Sequence, residues 1–267
     1  MDLTEAMTAR RSVRAYTGEP LRAEDLASIR QFIAATRAPF GVRARIELVH
    51  QDFGTAPRKL GSYGTVKNAR DFMGLIYEPG PLAEIGAAYW FEQAVLHCTA
   101  IGLGTCWLAG FTHRSFAGNV VLIGQEKLRI ASPVGYAGGT GPMLQRLRLF
   151  DADRLHTNKK PFEELFFHPD FVTPLTPSEA ADLAEPLRMA RIAPSAKNRQ
   201  PYRAVLDGND CHFYTAPGTF ADLDIGIALA HFALTCSELR IEGQLERVAS
   251  APVGAGLSYA MTWRRAT

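Results

Sequence analysis

Two short polar segments of this 267-residue chain carry side chains that could bind an anion or a planar ring. The first, ARRSVRAY, places Arg10, Ser12 and Arg14 at alternate positions. Alternate side chains of an extended segment point to one side, so two guanidinium groups and a hydroxyl would share a face. Arginine offers a planar fork of donors that suits an anion such as a phosphate. The alternative is a solvated basic turn that binds nothing.

The second segment is APSAKNRQPYR, residues 193–203, in the C-terminal third of the chain. Pro194 and Pro201 frame it, and we expect them to hold the backbone extended. Ser195 and Asn198 would then be polar groups on a stiff loop, able to hydrogen-bond a planar heterocycle. The alternative is a helix-to-strand connection made of ordinary turn-forming residues.

A third candidate is GTCWLAGF, residues 104–111, where glycine would allow the backbone to approach a flat ligand closely. Ala109 and Gly110 could offer N–H groups there, or the segment could simply be a tight turn after a buried helix. The chain has no Walker A, G-x-S-x-G or H-E-x-x-H motif, and no G-x-G-x-x-G that follows a strand and opens a helix. We therefore expect no Rossmann site and no side-chain nucleophile.

The composition is that of an ordinary globular enzyme, with 47% hydrophobic and 21% charged residues. The net charge of +2 gives no global field that would attract nucleic acid or an anionic membrane, so we expect neither as a partner. The N-terminal residues include acidic side chains without an apolar run, and no stretch has the length and apolarity of a membrane span. The four cysteines form no C-x-x-C pair, which predicts buried free thiols, a cytoplasmic location and no metal site.

Hydrophobic periodicity and turn signals predict the elements that must position these segments. Helices are expected at 2–9, 21–37, 81–101, 177–192 and 223–241. Strands are expected at 44–50, 70–78, 128–137, 203–207, 211–216 and 256–264. The fourth helix has a well-formed start, with Thr176 as N-cap, Pro177 in the first position and Glu179 three residues after the cap. Helices and strands are mixed rather than regularly alternating, which favours an α+β fold.

The chain also contains an internal repeat. Residues 19–39 align with 173–194, because each stretch has an early Pro-Leu, runs through a helix and ends in Ala-Pro. A strand follows in both places. Residues 91–103 align with 229–241, which pairs two leucines and two cysteines. Two copies in one chain indicate a fused dimer rather than a solenoid.

The segments RRSVRAY, GLGTCWLAGF, PVGYA, KKPFEELFF and APSAKNRQPY together resemble the FMN-dependent nitroreductase family, and in particular its single-chain Thermotoga-type subgroup. Members of the family are homodimers with FMN at the interface. One subunit supplies the Arg-Arg-Ser motif and the other supplies the serine/asparagine loop. Here each motif occurs once: Phe40 and Arg43 stand where the first half would carry the loop, and the second half lacks Arg-Arg-Ser.

The resemblance therefore implies a nitroreductase-like α+β fold whose two related halves form an intramolecular pseudo-dimer. Residues 1–170 would carry the Arg-Arg-Ser motif and the phosphate site, and residues 171–267 the Ser/Asn loop. Because such a chain has already buried its dimer interface, we expect a monomer.

The resemblance also implies which residues bind the cofactor. Arg10, Ser12 and Lys159 would hold the FMN phosphate, and Arg14 would stabilise negative charge at the pyrimidine edge of the flavin. The N–H of Ala109 would donate to flavin N5. The complete expected set is Arg10, Arg11, Ser12, Arg14, Ala109, Gly110, Lys159, Pro194, Ser195, Ala196 and Asn198.

The implied activity is hydride transfer from NAD(P)H to FMN and then to a small oxidised acceptor, such as a nitroaromatic or a quinone. Two alternatives stay open. One is a reductive dehalogenase or flavin-fragmenting enzyme of the same superfamily, which would need a lid or dedicated substrate-binding residues. The other is a flavin-binding or storage protein with little turnover.

Overall fold

The computed structural model describes residues 1–51, 66–109, 120–138, 158–254 and 256–266. The chain divides into two compact units, Met1–Leu155 and His156–Thr267. Each unit combines helices with its own mainly antiparallel sheet, so the fold is α+β as predicted.

The first unit contains a four-stranded sheet with helices beside it. Its described helices are α1 (Leu3–Ala9), α2 (Ala23–Ala35) and α3 (Ala83–Ala100). Its described strands are β1 (Ala44–His50), β2 (Asp71–Tyr77), β3 (Gly104–Thr105) and β4 (Lys127–Gly135). The strand order is β1-β2-β4-β3, and every neighbouring pair is antiparallel.

Helix α3 is the centre of the first unit. It is apolar around most of its circumference, which is the pattern of a helix buried on all sides, and twelve of its residues are buried. Helix α2 packs on it through a stack of Phe32 on His97, with ring centroids 4.8 Å apart. The indole of Trp90 also donates a 2.7 Å hydrogen bond to Thr36 Oγ1. The helix ends before Gly102, whose φ of +85° is the left-handed conformation that favours glycine.

The second unit contains a five-stranded sheet and two α-helices. Its described helices are α4 (Ala184–Ile192) and α5 (Ala221–Glu238). Its described strands are β5 (Phe166–Phe167), β6 (Tyr202–Asp207), β7 (Asp210–Thr215), β8 (Gly243–Glu246) and β9 (Ser258–Arg265). The order is β5-β6-β7-β9-β8, with β5 parallel to β6 and the other pairs antiparallel. Phe232 of α5 meets Phe213 and Trp263 of the sheet edge-on, which anchors the helix on the strands.

Helix α4 begins later than the predicted start at residue 177. Thr176 and Glu179 do exchange the reciprocal bonds of a capping box, but the chain then forms turns and a short 3₁₀ segment, Ala181–Leu183. Ala181 has a φ of +51°, which interrupts any α-helix through it. Pro186 has no backbone N–H and is tolerated only in a first helical turn, so a helix that contains it must start near Ala184.

The two units repeat the same connectivity. In each, a helix leads to two paired strands, a long helix follows, and the last two strands pair with each other, so β1-β2-β4-β3 corresponds to β6-β7-β9-β8. Helices α3 and α5 both have 18 residues. The backbone carbonyls of the aligned Cys98 and Cys236 accept hydrogen bonds from Leu103 N–H and Ile241 N–H at the same distance, 2.8 Å. The sequence repeat is thus matched by a repeat of topology.

The sequence analysis placed the boundary between the halves at residue 170. The compact units divide earlier, between Leu155 and His156. The reason is strand pairing, because β5 adds to the edge of β6 and places Phe166 opposite Ala204. Leu165 also accepts a 3.0 Å hydrogen bond from Ala204 N–H. The segment before residue 170 therefore belongs with the second sheet.

All four cysteines are buried and none forms a disulfide, as expected. Within the described ranges, no helix is both long and apolar enough to cross a membrane. The same ranges contain no group of three or more His, Cys, Asp or Glu residues arranged to hold a metal ion.

Candidate functional site

The Arg-Arg-Ser motif lies in an extended segment that runs beside the first sheet. Val13 N–H donates to Thr105 O at 2.8 Å, and Tyr16 N–H donates to Lys67 O at 3.0 Å. Val13 packs toward the core, while Ser12 and Arg14 are exposed. Gly104 permits this approach, because a Cβ there would lie 2.8 Å from Val13 Cγ2. The predicted alternation therefore holds for Ser12 and Arg14.

Arg10 is placed differently from the two exposed residues. It ends α1 and is only 7% exposed. Its Nε lies 3.9 Å from Glu92 Oε1, which is an ion pair but not a hydrogen bond, and this Nε has no hydrogen-bond partner in the described part of the chain. Burial lowers the pKa of the Arg10 guanidinium, and the charge of Glu92 partly offsets that effect. Arg10 is thus a buried cation with an unused donor.

Three residues that are predicted to bind the phosphate and the flavin, Arg10, Ser12 and Arg14, lie close to the thiol of Cys106. Burial raises the pKa of Cys106, while Arg14, a hydrogen bond with Ser12 and the charge of Arg10 act in the opposite direction. Each of these groups must lie close to the thiol to have that effect. Cys106 itself is 1% exposed, so it is part of the packing behind the motif rather than an accessible nucleophile.

Glu92 is a site residue that the sequence analysis missed. It lies within α3, is completely buried and accepts a 2.6 Å hydrogen bond from the indole Nε1 of Trp107. Trp107 in turn packs edge-on against Phe91, with ring centroids 5.0 Å apart. A carboxylate inside a helix that is otherwise almost wholly apolar was the available signal, because acidic side chains are rarely fully buried unless they are paired.

The third candidate segment leaves the sheet at a well-defined point. Leu108 N–H donates to Ala131 O at 2.9 Å, and Ala131 N–H donates back to Leu108 O at 3.0 Å. This pair sets the position of Ala109, which follows it and is exposed. Gly110 lies outside the described residues.

The Ser/Asn loop of the second unit is not extended between its prolines. Residues Ala196–Asn198 form a single 3₁₀ turn, in which Asn198 N–H donates to Ser195 O at 3.0 Å. Lys197, Asn198 and Gln200 all have positive φ, between 48° and 55°. The prediction of an extended loop was wrong, because local hydrogen bonds across the turn outweigh the stiffening effect of the two prolines.

Side-chain hydrogen bonds hold this loop in place. Gln200 N–H donates to Ser195 Oγ at 3.0 Å, and Asn198 Nδ2 donates to the carbonyl of Asn158 at 2.8 Å. The fully buried Gln200 side chain accepts from Lys160 N–H at 2.9 Å. Ser195 keeps a hydroxyl proton and Asn198 keeps its amide oxygen, so each could still bond a ligand.

Lys159 lies beside the same loop. Its ammonium group donates a 2.7 Å hydrogen bond to the carbonyl of Ala193, the residue that ends α4. An ammonium group has three donors, so this bond does not exclude contact with a phosphate.

Asp224 is a second site residue that the sequence analysis missed. It lies in the first turn of α5, is 5% exposed and accepts a 2.8 Å hydrogen bond from the backbone N–H of Ala196. Burial raises its pKa to about 6, against the opposing effects of the Ala196 hydrogen bond and the charge of Lys159. The sequence did not single out Asp224, because acidic residues such as Asp222 and Asp224 are common in the first turn of a helix.

Comparison with known proteins identifies the family. A family model described as "Putative TM nitroreductase" matches residues 2–236. The chain belongs to this nitroreductase family. Its structure is similar to that of a "putative nitroreductase" from Thermotoga maritima, with a TM-score of 0.65 and 18% identity over 99% of this chain and 94% of that one. The chain therefore has the nitroreductase fold.

Other family structures match about one half of the nitroreductase chain. A nitroreductase with bound FMN from Bacteroides fragilis is 19% identical and covers 52% of this chain and 89% of its own, with a TM-score of 0.42. A nitroreductase family protein from Clostridium difficile is 16% identical and covers 61% and 96%, with a TM-score of 0.46. No curated protein matches the chain.

The expected site residues of this nitroreductase fall into two groups. The first unit contains Arg10, Arg11, Ser12, Arg14 and Ala109, of which Arg11 is half-buried. The second unit brings together Lys159, Pro194, Ser195, Ala196 and Asn198. Arg10, Ser12 and Arg14 lie close together around Cys106, and Lys159 lies beside the Ser/Asn loop, while a shared ligand for the two groups stays a prediction.

Proposed function

We propose that this protein is an FMN-dependent oxidoreductase that takes hydride from NAD(P)H and reduces a small oxidised acceptor, such as a nitroaromatic or a quinone. Membership of the nitroreductase family supports the reaction class. The observation that carries the proposal is Arg10, a buried cation whose Nε has no hydrogen-bond partner among the described residues, next to exposed Ser12 and Arg14.

The chemistry of this donor set fits the proposed cofactor. A buried guanidinium group with an unused donor is costly unless a ligand completes its hydrogen bonding. An FMN phosphate would supply anionic oxygens for Arg10 and an acceptor for the Ser12 hydroxyl. The exposed Arg14 can reach a ligand without any rearrangement of the core.

Different residues of the chain would bind the FMN phosphate and polarise the flavin ring. Arg10, Arg11, Ser12 and Lys159 would hold the phosphate, and Arg14 would stabilise negative charge that develops at the pyrimidine edge. The N–H groups of Ala109 and Gly110 would orient the reactive edge. When bound, FMN would supply the hydride-accepting and hydride-donating centre that no side chain provides.

The second unit would supply polar groups on a positioned loop. Pro194, Ser195, Ala196 and Asn198 would contact the ring and the ribityl chain. Their support is the 3₁₀ turn and its hydrogen bonds, which hold these groups in one arrangement before any ligand binds. Such pre-organisation lowers the entropic cost of binding.

We further propose that the chain is a monomeric, cytoplasmic pseudo-dimer with one flavin site. The repeated topology of the two units supports a fusion origin, and the four buried thiols without disulfides suit a reducing compartment. Gel filtration should give a mass near 29.3 kDa, and a mass of twice that value would contradict the monomer.

The proposed function is tested by absorbance spectroscopy after incubation with FMN and removal of unbound cofactor. We expect a flavin spectrum with one FMN per chain, and rapid loss of its absorbance on anaerobic mixing with NADH or NADPH. Protein that stays colourless would overturn the cofactor assignment. Bound flavin that neither nicotinamide reduces would instead indicate the storage protein.

A further inference from the structure

The buried carboxylate of Asp224 is the anchor of the turn that carries Ser195 and Asn198. Its Oδ1 accepts from Ala196 N–H at 2.8 Å, in the middle of the loop. The backbone around it departs from ordinary geometry, since Lys197 and Asn198 both have positive φ. Such residues cost free energy and persist only where neighbouring contacts hold them. A charge-assisted bond to Ala196 is one such contact.

The surroundings of Asp224 are consistent with a role in the loop rather than in packing. The charged and titratable groups whose effects link them to it are Lys159, whose ammonium bonds Ala193 O, and Tyr202, whose hydroxyl also bonds Ala193 O. Lys159 and Tyr202 therefore hold the start of the segment at Ala193, and Asp224 holds its middle at Ala196. Burial raises the pKa of Asp224 to about 6, so its carboxylate is kept buried at a cost.

The repeated topology provides an internal comparison. Helices α3 and α5 have equal length and matching ends, and Gly86 occupies in α3 the position that Asp224 occupies in α5. Gly86 N–H donates to Leu82 O at 2.8 Å, and Asp224 N–H donates to Phe220 O at 2.8 Å. The two residues stand at the same point of the same helical turn.

The corresponding connection in the first unit has no room for such an anchor. A Cβ at Gly86 would lie 2.7 Å from Val42 Cγ2 and 2.9 Å from Pro39 O. The connection there packs directly on the helix backbone. In the second unit the Asp224 side chain stands between the helix and the loop and binds the loop through Ala196.

We propose that Asp224 is a positioning residue that holds the Ser195–Asn198 turn in its ligand-binding form, and that Gly86 at the equivalent position marks the half without a flavin loop. This inference rests on the proposed function only for the identity of the ligand. The anchoring of the turn can be measured on the protein alone.

The test compares Asp224→Ala, which removes the acceptor, with Asp224→Asn, which keeps an oxygen in its place. Asp222→Ala is the matched control, because it removes a negative charge from the same helical turn at an exposed position. The first readout is amide hydrogen exchange at Ala196 in protein without added flavin. The second is the FMN dissociation constant at fixed pH, from quenching of flavin fluorescence.

We expect Asp224→Ala to accelerate exchange at Ala196 and to weaken FMN binding by about tenfold or more, the scale set by loss of one charge-assisted hydrogen bond. Asp224→Asn should stay within about threefold of the wild type in both readouts, and Asp222→Ala should match the wild type. Unchanged exchange and affinity in Asp224→Ala would overturn the inference. If Asp224→Ala does not fold, Asp224→Leu also removes the acceptor but fills the space, and unchanged exchange and affinity in that variant would overturn the inference equally.

Failure of the proposed function gives a different pattern. A wild type that binds no FMN would contradict the cofactor, while faster exchange at Ala196 in Asp224→Ala would still confirm the anchor. A wild type that binds FMN with the same affinity as Asp224→Ala would contradict only the positioning role.

Discussion

The indole of Trp107 donates a 2.6 Å hydrogen bond to the fully buried carboxylate of Glu92. The second oxygen of that carboxylate lies 3.9 Å from Arg10 Nε. Glu92 therefore connects the segment after β3 with the end of α1, two parts of the chain that both carry expected ligands of the flavin. Its charge also balances that of Arg10 in an interior that would otherwise hold an uncompensated cation.

Replacement of Glu92 should destabilise the protein. Glu92→Ala leaves Arg10 buried without its counter-charge, so we expect a loss of about 3–5 kcal/mol in the free energy of unfolding. Glu92→Gln keeps an acceptor for Trp107 and should lose less. Urea denaturation followed by tryptophan fluorescence measures both, with Gln93→Ala on the same helix as the control. Equal stability of Glu92→Ala and the wild type would contradict the pairing.

Gly104→Ala should displace the Arg-Arg-Ser segment. The new Cβ would lie 2.8 Å from Val13, so the segment must move away from β3 or the strand must distort. We expect a loss of about 1–3 kcal/mol in stability from this overpacking, together with weaker FMN binding. The double variant Gly104→Ala/Val13→Ala should recover much of both. Gly80→Ala is the control, because nothing lies within 4 Å of its added Cβ.

Variants in both units should weaken binding of the same FMN. Arg14→Ala removes an exposed cation and Asn198→Ala removes an amide of the loop, and each should raise the dissociation constant by about tenfold. Arg43→Ala, at an 81% exposed residue in the connection that lacks the loop, should leave it unchanged. Fluorescence titration separates these cases. A loss for one unit's variant and none for the other's would argue against a shared ligand.

The raised pKa of Asp224 should make the free energy of unfolding depend on pH. Its folded pKa of about 6 is above the usual value of an aspartate, so the native state binds this proton more tightly than the unfolded chain does. That contribution is complete below pH about 4 and is lost as the pH rises through about 6. The wild type should therefore lose up to about 3 kcal/mol relative to Asp224→Asn across this window. Denaturation of the two proteins from pH 4 to pH 7 provides the measurement, and a constant difference would contradict it.

The local sequence pattern was sufficient to predict those elements whose structure depends mainly on their own residues. The strand at 44–50 was predicted with its observed ends, because alternation of side chains over seven residues is a property of the segment itself. The long helices α3 and α5 were predicted within a few residues, since continuous apolar character marks both and a following glycine, Gly102, marks the end of α3. The repeat was also visible, because it follows from the order of such elements.

The short strands depended on partners far along the chain. β3, β5 and β8 have two to four residues each and no periodicity long enough to read. β5 exists because the edge of β6 offers unpaired backbone groups to it. Because β5 pairs with β6, the boundary between the compact units lies before residue 170, the position that the sequence analysis predicted.

By itself, the sequence determined the family, the α+β class and the types of donor that a flavin would need, because these follow from residue identity and local periodicity. Only the tertiary structure decided that Arg10 is buried against Glu92 while Ser12 and Arg14 are exposed. It also turned the proline-framed loop into a 3₁₀ turn anchored by Asp224. The physical reason is that burial, pairing of charges and hydrogen bonding depend on which distant residues meet, and no local pattern in the chain encodes those distances.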